Sequence, residues 1–263
     1  MKERVQKLMS QAGVASRRAS EEMITQKRVT VNGKVVSLGD KADPTTDVIR
    51  VDGQKLKLQD VKQWYIVINK PNNVLSAPST NSDDDRPTVR ELIPIEGHLF
   101  SIGRLDADSD GLMVLTNNGE LTNKLAHPRY EHTKTYKVEV YGEPSNYELE
   151  QWQDGVWLEE GKTAPCFVKV LESNTNRGTT ILRVVMIEGK KRQIRRVSTK
   201  FGYPVKRLTR THIGQLGLGT LRRGEWYELE EAEVAAMSEP AWELDLIKRR
   251  QKKVKANRKK RKK

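Results

Sequence analysis

The chain has 263 residues, a formal net charge of +13 and one cysteine, Cys166. At about 150 residues per domain this suits one or two domains with a substantial core, and a lone cysteine excludes an internal disulfide. No apolar run reaches the roughly eighteen residues of a membrane helix. Met1 to Leu8 lacks the apolar centre of a signal peptide, and His98, His127, His132 and His212 show no metal-ligand spacing.

These exclusions lead us to expect a soluble, cytoplasmic protein. The charge is uneven. Residues 248–263 hold twelve Lys or Arg and no acid; residues 1–60 hold twelve basic and eight acidic residues; residues 61–247 hold 24 basic and 27 acidic. The two ends therefore supply long-range attraction for a polyanion, and any affinity in the middle must come from local clusters.

At the N-terminus, Val5, Leu8, Met9 and Ala12 recur at helical spacing, and Gly13 is a helix stop. Ser16 can cap a second helix with Arg17 and Arg18 in its first turn and Ala19, Met23 and Ile24 on its apolar face. Val29-Thr30-Val31, Asn32-Gly33 and Val35-Val36 read as a tight hairpin. Arg17, Arg18, Lys27, Arg28 and Lys34 are candidates for phosphate contacts; the plainer alternative is a solvated face. A strand at Val48–Val51, a turn at Asp52-Gly53 and a polar linker at 57–63 complete this part.

Trp64 to Asn69 reads as a buried strand, followed by the loop Lys70-Pro71-Asn72-Asn73-Val74. The polar, acidic stretch 76–86 should be mobile, and Thr88 to Leu92 a short helix. Leu99–Ile102, Gly103-Arg104-Leu105-Asp106, Gly111 and Leu112–Asn117 then spell strand, turn, strand, with an Arg and an Asp on the exposed turn. Taken alone, such a turn more often caps or reverses the chain than carries chemistry. Asp106, Asp108, Asp110 and Gly111 copy the start of a calcium loop, but its closing glutamate is replaced by Asn117, so calcium is rejected.

A helix is expected over 118–126. Lys134–Tyr141 alternates, with Tyr136, Val138 and Val140 on one face. A helix over 145–154 and strands over 165–171 and 179–187 follow. Gly189 should open a helix to Phe201 with Ile194, Val197 and Phe201 on its apolar side and Arg192, Arg195, Arg196 and Thr199 beside them. A basic strand, Lys206–Arg210, and a last strand, Trp226–Leu229, come next. A few helical turns from Pro240 are compatible with the sequence, whereas Lys248–Lys263 should be disordered without RNA.

Four blocks stand in order: Lys70-Pro71; Ser101-Ile102-Gly103-Arg104-Leu105-Asp106; Lys134-Thr135-Tyr136; and Arg192-Gln193-Ile194-Arg195-Arg196. Together they resemble the RsuA/RluB/RluE/RluF group of bacterial rRNA pseudouridine synthases, over about residues 1 to 235. Gly13-Val14-Ala15-Ser16-Arg17-Arg18 and Arg28-Val29-Thr30-Val31-Asn32-Gly33 resemble the αL RNA-binding module first described in a small-subunit ribosomal protein. Lys27 departs from that module, which usually has glycine there.

The resemblance implies an α+β protein: an αL-type module at 1–60, a pseudouridine synthase domain with a mixed, largely antiparallel sheet at 61–240, and a basic, disordered tail at 241–263. It implies Asp106 as catalytic carboxylate, Arg195 as its ion-pair partner, Tyr136 as the platform for the target base and Arg104 as the residue that takes the base's place or holds the opened backbone. Lys70, Arg192, Arg196, Arg17, Arg18 and Arg28 are the implied RNA contacts. No cofactor or metal is implied. The partner is ribosomal RNA, bare or in an assembling particle, met by a monomer. The text around Asn69-Lys70-Pro71 and Arg86-Pro87-Thr88-Val89, with the basic tail, is closest to the RluB type and favours 23S rRNA. Small-subunit 16S rRNA and a non-catalytic assembly factor are the alternatives. Whether Asp106 attacks the base or takes a ribose proton stays open.

Overall fold

A computed structural model describes residues 1–57, 62–78, 83–126 and 130–260, with only the backbone for 257–260. The N-terminal module contains β1 (Glu3–Arg4), α1 (Val5–Gln11), α2 (Arg17–Thr25), β2 (Val29–Val31), β3 (Lys34–Val35), β4 (Lys41–Ala42), β5 (Ile49–Val51) and β6 (Gln54–Lys55). Ser16 caps α2, its Oγ accepting from the Ala19 N–H at 3.1 Å. Asn32 and Gly33 both have positive φ, 50° and 79°, as a two-residue hairpin turn requires. Val5, Leu8, Met9, Ile24, Val29 and Ile49 form the module's core. Lys27 is left-handed, φ 60°, at the position where glycine would carry no strain.

The larger body contains β7 (Tyr65–Lys70), β8 (Phe100–Ser101), β9 (Asp110–Thr116), α3 (Gly119–Ala126), β10 (Lys134–Tyr141), α4 (Asn146–Asp154), β11 (Trp157–Leu158), β12 (Gly161–Lys162), β13 (Phe167–Asn174), β14 (Thr179–Met186), α5 (Gln193–Lys200), β15 (Val205–Ile213), β16 (Leu216–Gly217), β17 (Trp226–Glu228), α6 (Glu231–Ala236) and α7 (Leu244–Lys260). Its main sheet runs β13-β14-β10-β15-β9-β7-β17, with β8 on β9 and β16 on β15. The pairings are antiparallel except β9 with β15, so the sheet is mixed and largely antiparallel.

Strand alternation gives this sheet two buried faces. On the front, Val138, Val140, Val184, Met186 and Leu208 pack Leu149 and Trp152 of α4 and Ile194 and Val197 of α5. The front continues through Ile66, Ile68, Met113 and Leu115, and Tyr136 touches both halves. On the back, Val67, Leu112, Val114 and Ile213 meet Leu125 of α3 and Met237, while Val185 and Ile187 meet Ala241 and Ile247. Cys166 is buried, its thiol pushed up to about 12 by burial, as befits a structural residue.

Three expectations need correction. Thr88–Leu92 is not a helix: Thr88 bridges Leu75 and residues 89–92 are turns. It lies between Pro87 and Pro94, and the Arg90 guanidinium bonds the carbonyls of Ile93, Ile95 and Gly97, folding the segment back on itself. The helix expected from Gly189 starts at Gln193; Arg192 before it is left-handed, φ 51°. The expected disordered tail is instead helical to Lys260, because its first turns are rooted in the back core through Leu244 and Ile247. Parts of the expected linker at 57–63 and of the stretch 76–86 lie outside the described residues, but Ser76 is fixed by hydrogen bonds to Leu105.

At the parallel crossing, Gly111 has φ +113° and a Cβ there would lie 2.3 Å from the Arg210 carbonyl oxygen. Gly111→Ala is therefore expected to destabilise the protein by about 3 kcal/mol through clash and strain, read as a lowered urea midpoint with unchanged slope.

Candidate active site

A cleft of about 560 Å³ opens on the front of the sheet, lined among others by Ser76, Arg104, Asp106, Tyr136, Met186 and Arg192. Its size suits one nucleotide-sized ligand. The loop bearing Asp106 connects β8 to β9 and is pinned at several points. The Ile102 N–H bonds the Val114 carbonyl at 2.7 Å, and Gly103 turns the chain at φ 73°. Ser76 Oγ accepts from the Leu105 N–H at 3.0 Å. The Ser109 N–H closes a turn on the Asp106 carbonyl at 3.1 Å.

Lys70 lies at the foot of this loop, 0% exposed. Its ammonium donates to the carbonyls of Pro71 at 2.9 Å, Ser109 at 2.8 Å and Ala107 at 3.5 Å. Burial pulls it down to about 8, against the attraction of Asp110, Asp108 and Asp106. The expected RNA contact at Lys70 is thus corrected: the side chain has no route to solvent and supports the loop from inside. Arg210, 1% exposed, supports the other side, donating to the carbonyls of Leu112 at 2.7 Å and Arg104 at 3.4 Å.

The three aspartates of the loop diverge. Asp110 is buried against Arg207 and Arg223, at 2.9 and 2.8 Å, and accepts from the Thr209 hydroxyl. Asp108 accepts a two-pronged bond from Arg192, at 3.0 and 2.8 Å. Burial would raise the Asp108 carboxyl, but the Arg192 bonds and the charges of Arg195 and Arg192 hold it below the usual range. Asp106 turns into the cleft, its side chain 35% exposed, with Arg192 Nη1 3.8 Å from its Oδ2.

The ion pair expected between Asp106 and Arg195 does not form. Since α5 begins at Gln193, Arg192 stands at the cleft mouth and Arg195 lies a turn deeper. Arg195 pairs with Asp108 at 3.3 Å and bonds the Asp108 carbonyl at 2.6 Å and the Val205 carbonyl at 3.4 Å, tying the loop to the start of β15. By contact it fixes the loop's position, and it reaches the Asp106 carboxylate only through its charge.

Arg104 is exposed at the rim, and Tyr136 is half-buried on the cleft's front wall. Arg196 is held by Glu160 at 2.6 and 2.7 Å, and Arg28 by Asp52 at 2.8 and 2.6 Å, so a phosphate must compete for either. Arg17 and Arg18 are exposed on α2. An adjoining hollow lined by Trp157, Arg192, Arg195, Arg196 and Lys200 extends the basic surface away from the cleft. Sequence reasoning missed Ser76, Asp108, Ser109 and Arg210. The Asp-x-Asp-x-Asp spacing was a visible signal for Asp108; burial of Arg210 left none.

A family model described as RNA pseudouridylate synthase matches residues 64–200, and one described as S4 domain matches residues 3–49. The chain is 42% identical to a "Ribosomal large subunit pseudouridine synthase B" of Bacillus subtilis, over 88% of this chain and 94% of that protein. It is 34% identical to a "Dual-specificity RNA pseudouridine synthase RluF" of Escherichia coli K12, over 88% of this chain and 77% of that one. A crystal structure of a pseudouridylate synthase superposes with a TM-score of 0.63 at 26% identity, covering 89% of this chain and 99% of that one.

Lys70 predicts a pH effect. Its folded value, about 8, lies below the ordinary lysine value of 10.5, so between the two the unfolded chain binds the extra proton. The stability of the wild type relative to Lys70→Met is expected to rise with pH across that window, by at most about 3 kcal/mol, measured by urea unfolding of both proteins.

Proposed function

The chain belongs to the RNA pseudouridylate synthase family and carries an S4 domain before its catalytic domain, and on that premise we propose that it isomerises a uridine of 23S ribosomal RNA with Asp106 as the catalytic carboxylate. The enzyme is a pseudouridine synthase, an isomerase acting on RNA. In the reaction the bond from uracil N1 to ribose C1′ breaks, the base turns, C5 bonds to C1′, and the C5 proton leaves while N1 gains one. Atoms balance without an oxidant or a phosphate donor.

The observation that carries the reading is the Asp106 carboxylate, turned into a nucleotide-sized cleft on a loop braced from below, with a guanidinium 3.8 Å away. A nearby cation favours the ionised form that a nucleophile or base needs. The uridine must leave its stack to reach it, at a cost of a few kcal/mol. Arg104, exposed at the rim, is suited to fill the vacated place or hold the backbone. Tyr136 offers a ring to the extruded base. Arg192 bridges Asp106 and Asp108, and Arg195 keeps the loop against β15. Arg17 and Arg18 of the S4 domain are the long-range phosphate contacts, together with Arg192, Arg196 and Arg28 once their acidic partners yield.

Support for the large subunit comes from the name of the Bacillus subtilis relative. The Escherichia coli relative is named as dual-specificity, which supports a second RNA target beside the large subunit. The reading of a non-catalytic assembly factor is disfavoured: a simple RNA binder gains nothing from a carboxylate turned into a phosphate-facing cleft.

Asp106→Asn is expected to lower tritium release from RNA carrying 5-tritiated uridine by about a thousand-fold or more, with RNA affinity within two-fold; retained release would refute the role of Asp106. Mapping pseudouridine in 23S and 16S rRNA from cells with and without the protein decides the substrate. Lys70→Met should lower kcat at least roughly ten-fold and leave affinity unchanged, because the lysine never meets RNA.

A further inference from the structure

We propose that α7 is a second RNA grip, holding a segment of folded ribosomal RNA other than the one whose uridine enters the cleft; this rests on ribosomal RNA being the substrate. The first support is the root of the helix. Glu243, 0% exposed, pairs with Arg183 at 2.7 Å. The Ala241 N–H bonds Thr133 Oγ1 at 2.8 Å, Ile247 packs on Val185 and Ile187, and Arg250 pairs with Asp154 at 2.6 Å. With so many fixings α7 has a set direction and is not a loose polycation.

The second support is where that root lies. Arg183 and Val185 alternate along β14 with Val184 and Met186, which face the front, Met186 lining the cleft. The first turns of α7 are therefore on the opposite side of the sheet from Asp106, and from there the helix runs past Asp154 at the end of α4. In the sheet order β14 is three strands from β9, roughly 15 Å at about 4.8 Å per strand, before the thickness of the sheet is added.

The third support is chemical. From Lys248 to Lys260 the helix has no acidic residue, and Arg249, Lys252, Lys253 and Lys255 are exposed. Lys248 with Lys252 and Arg249 with Lys253 are like-charge pairs at helical spacing, which disfavour the helix until an anion arrives. Just before the helix, Trp242 is 69% exposed and propped edge-on by Phe167 with ring centroids 5.8 Å apart, and Phe167 lines one hollow with Arg249, Arg250 and Lys253. A basic rod next to an open indole suits phosphates flanked by an unpaired, stackable base. An acidic protein could use both the charges and the indole; RNA is favoured because the same chain belongs to an RNA-modifying family.

The test uses the full chain and the variant R249Q/K252Q/K253Q/K255Q, which spares the anchor Arg250. Two RNAs are compared: unmodified 23S transcript and a short stem-loop carrying its mapped uridine. On the transcript the variant should show a Kd and KM raised roughly ten-fold and a log–log salt dependence shallower by about 3, with kcat unchanged. On the stem-loop it should match the wild type within two-fold, which also proves the variant folded. Trp242→Ala should follow the same split, more weakly. Equal losses on both RNAs would mean that α7 shares the cleft's segment, and no loss on either that it holds no RNA; each overturns the proposal. If the wild type turns over neither RNA, the substrate reading fails, and Kd alone still decides α7.

Discussion

The buried ammonium of Lys70 lies where three backbone carbonyls converge, and the loop bearing Asp106 takes its shape around that point. A cation without water is costly unless its protons are all accepted and counter-charge is near. Both conditions are met here: the carbonyls of Pro71, Ala107 and Ser109 accept, and the three aspartates of the loop provide the field. Arg210 supports the loop from β15 on the far side through the carbonyls of Leu112 and Arg104, although its buried Nη2 has no hydrogen-bond partner among the described residues. The acidic character of the loop thus answers buried positive charge beneath it. Asp110 closes a cluster with Arg207 and Arg223, Asp108 fastens Arg192 and Arg195, and Asp106 is left facing the cleft.

Much of the fold was legible because the strands are simple. Lys134–Tyr141 alternates cleanly, Asn32-Gly33 demands a hairpin, and Ser16 and Ser145 each stand one residue before a helix. What stayed hidden depended on tertiary context. Nothing local says that Arg90 will collect three carbonyls and forbid a helix, or that Lys190 and Lys191 stay outside α5 while Gln193 bonds the Lys190 N–H at 3.0 Å. A lysine-rich end reads as disordered by composition, and only the packing of Ile247 against β14 rescues it.

The candidate site shows the same divide. The four linear blocks could be found because each is a short string, and they do converge on one region of the front face. Their pairwise geometry was not legible. The role expected for Arg195 toward Asp106 depended on where α5 begins, and a shift of four residues handed the nearest guanidinium to Arg192. Lys70 read as a surface contact because lysines usually are; its burial follows from the loop folding over it.

Three carboxylates within five positions invite the thought that one could stand in for another. The crossing at Gly111 denies it. With the Arg210 backbone so close that no side chain fits between, the strand after the loop cannot slide by a residue, and a shift would in any case carry Asp110 out of its arginine pocket. If Asp106 has the proposed catalytic role, a chain that loses it thus has no nearby spare, and recovery demands reversion at the same codon.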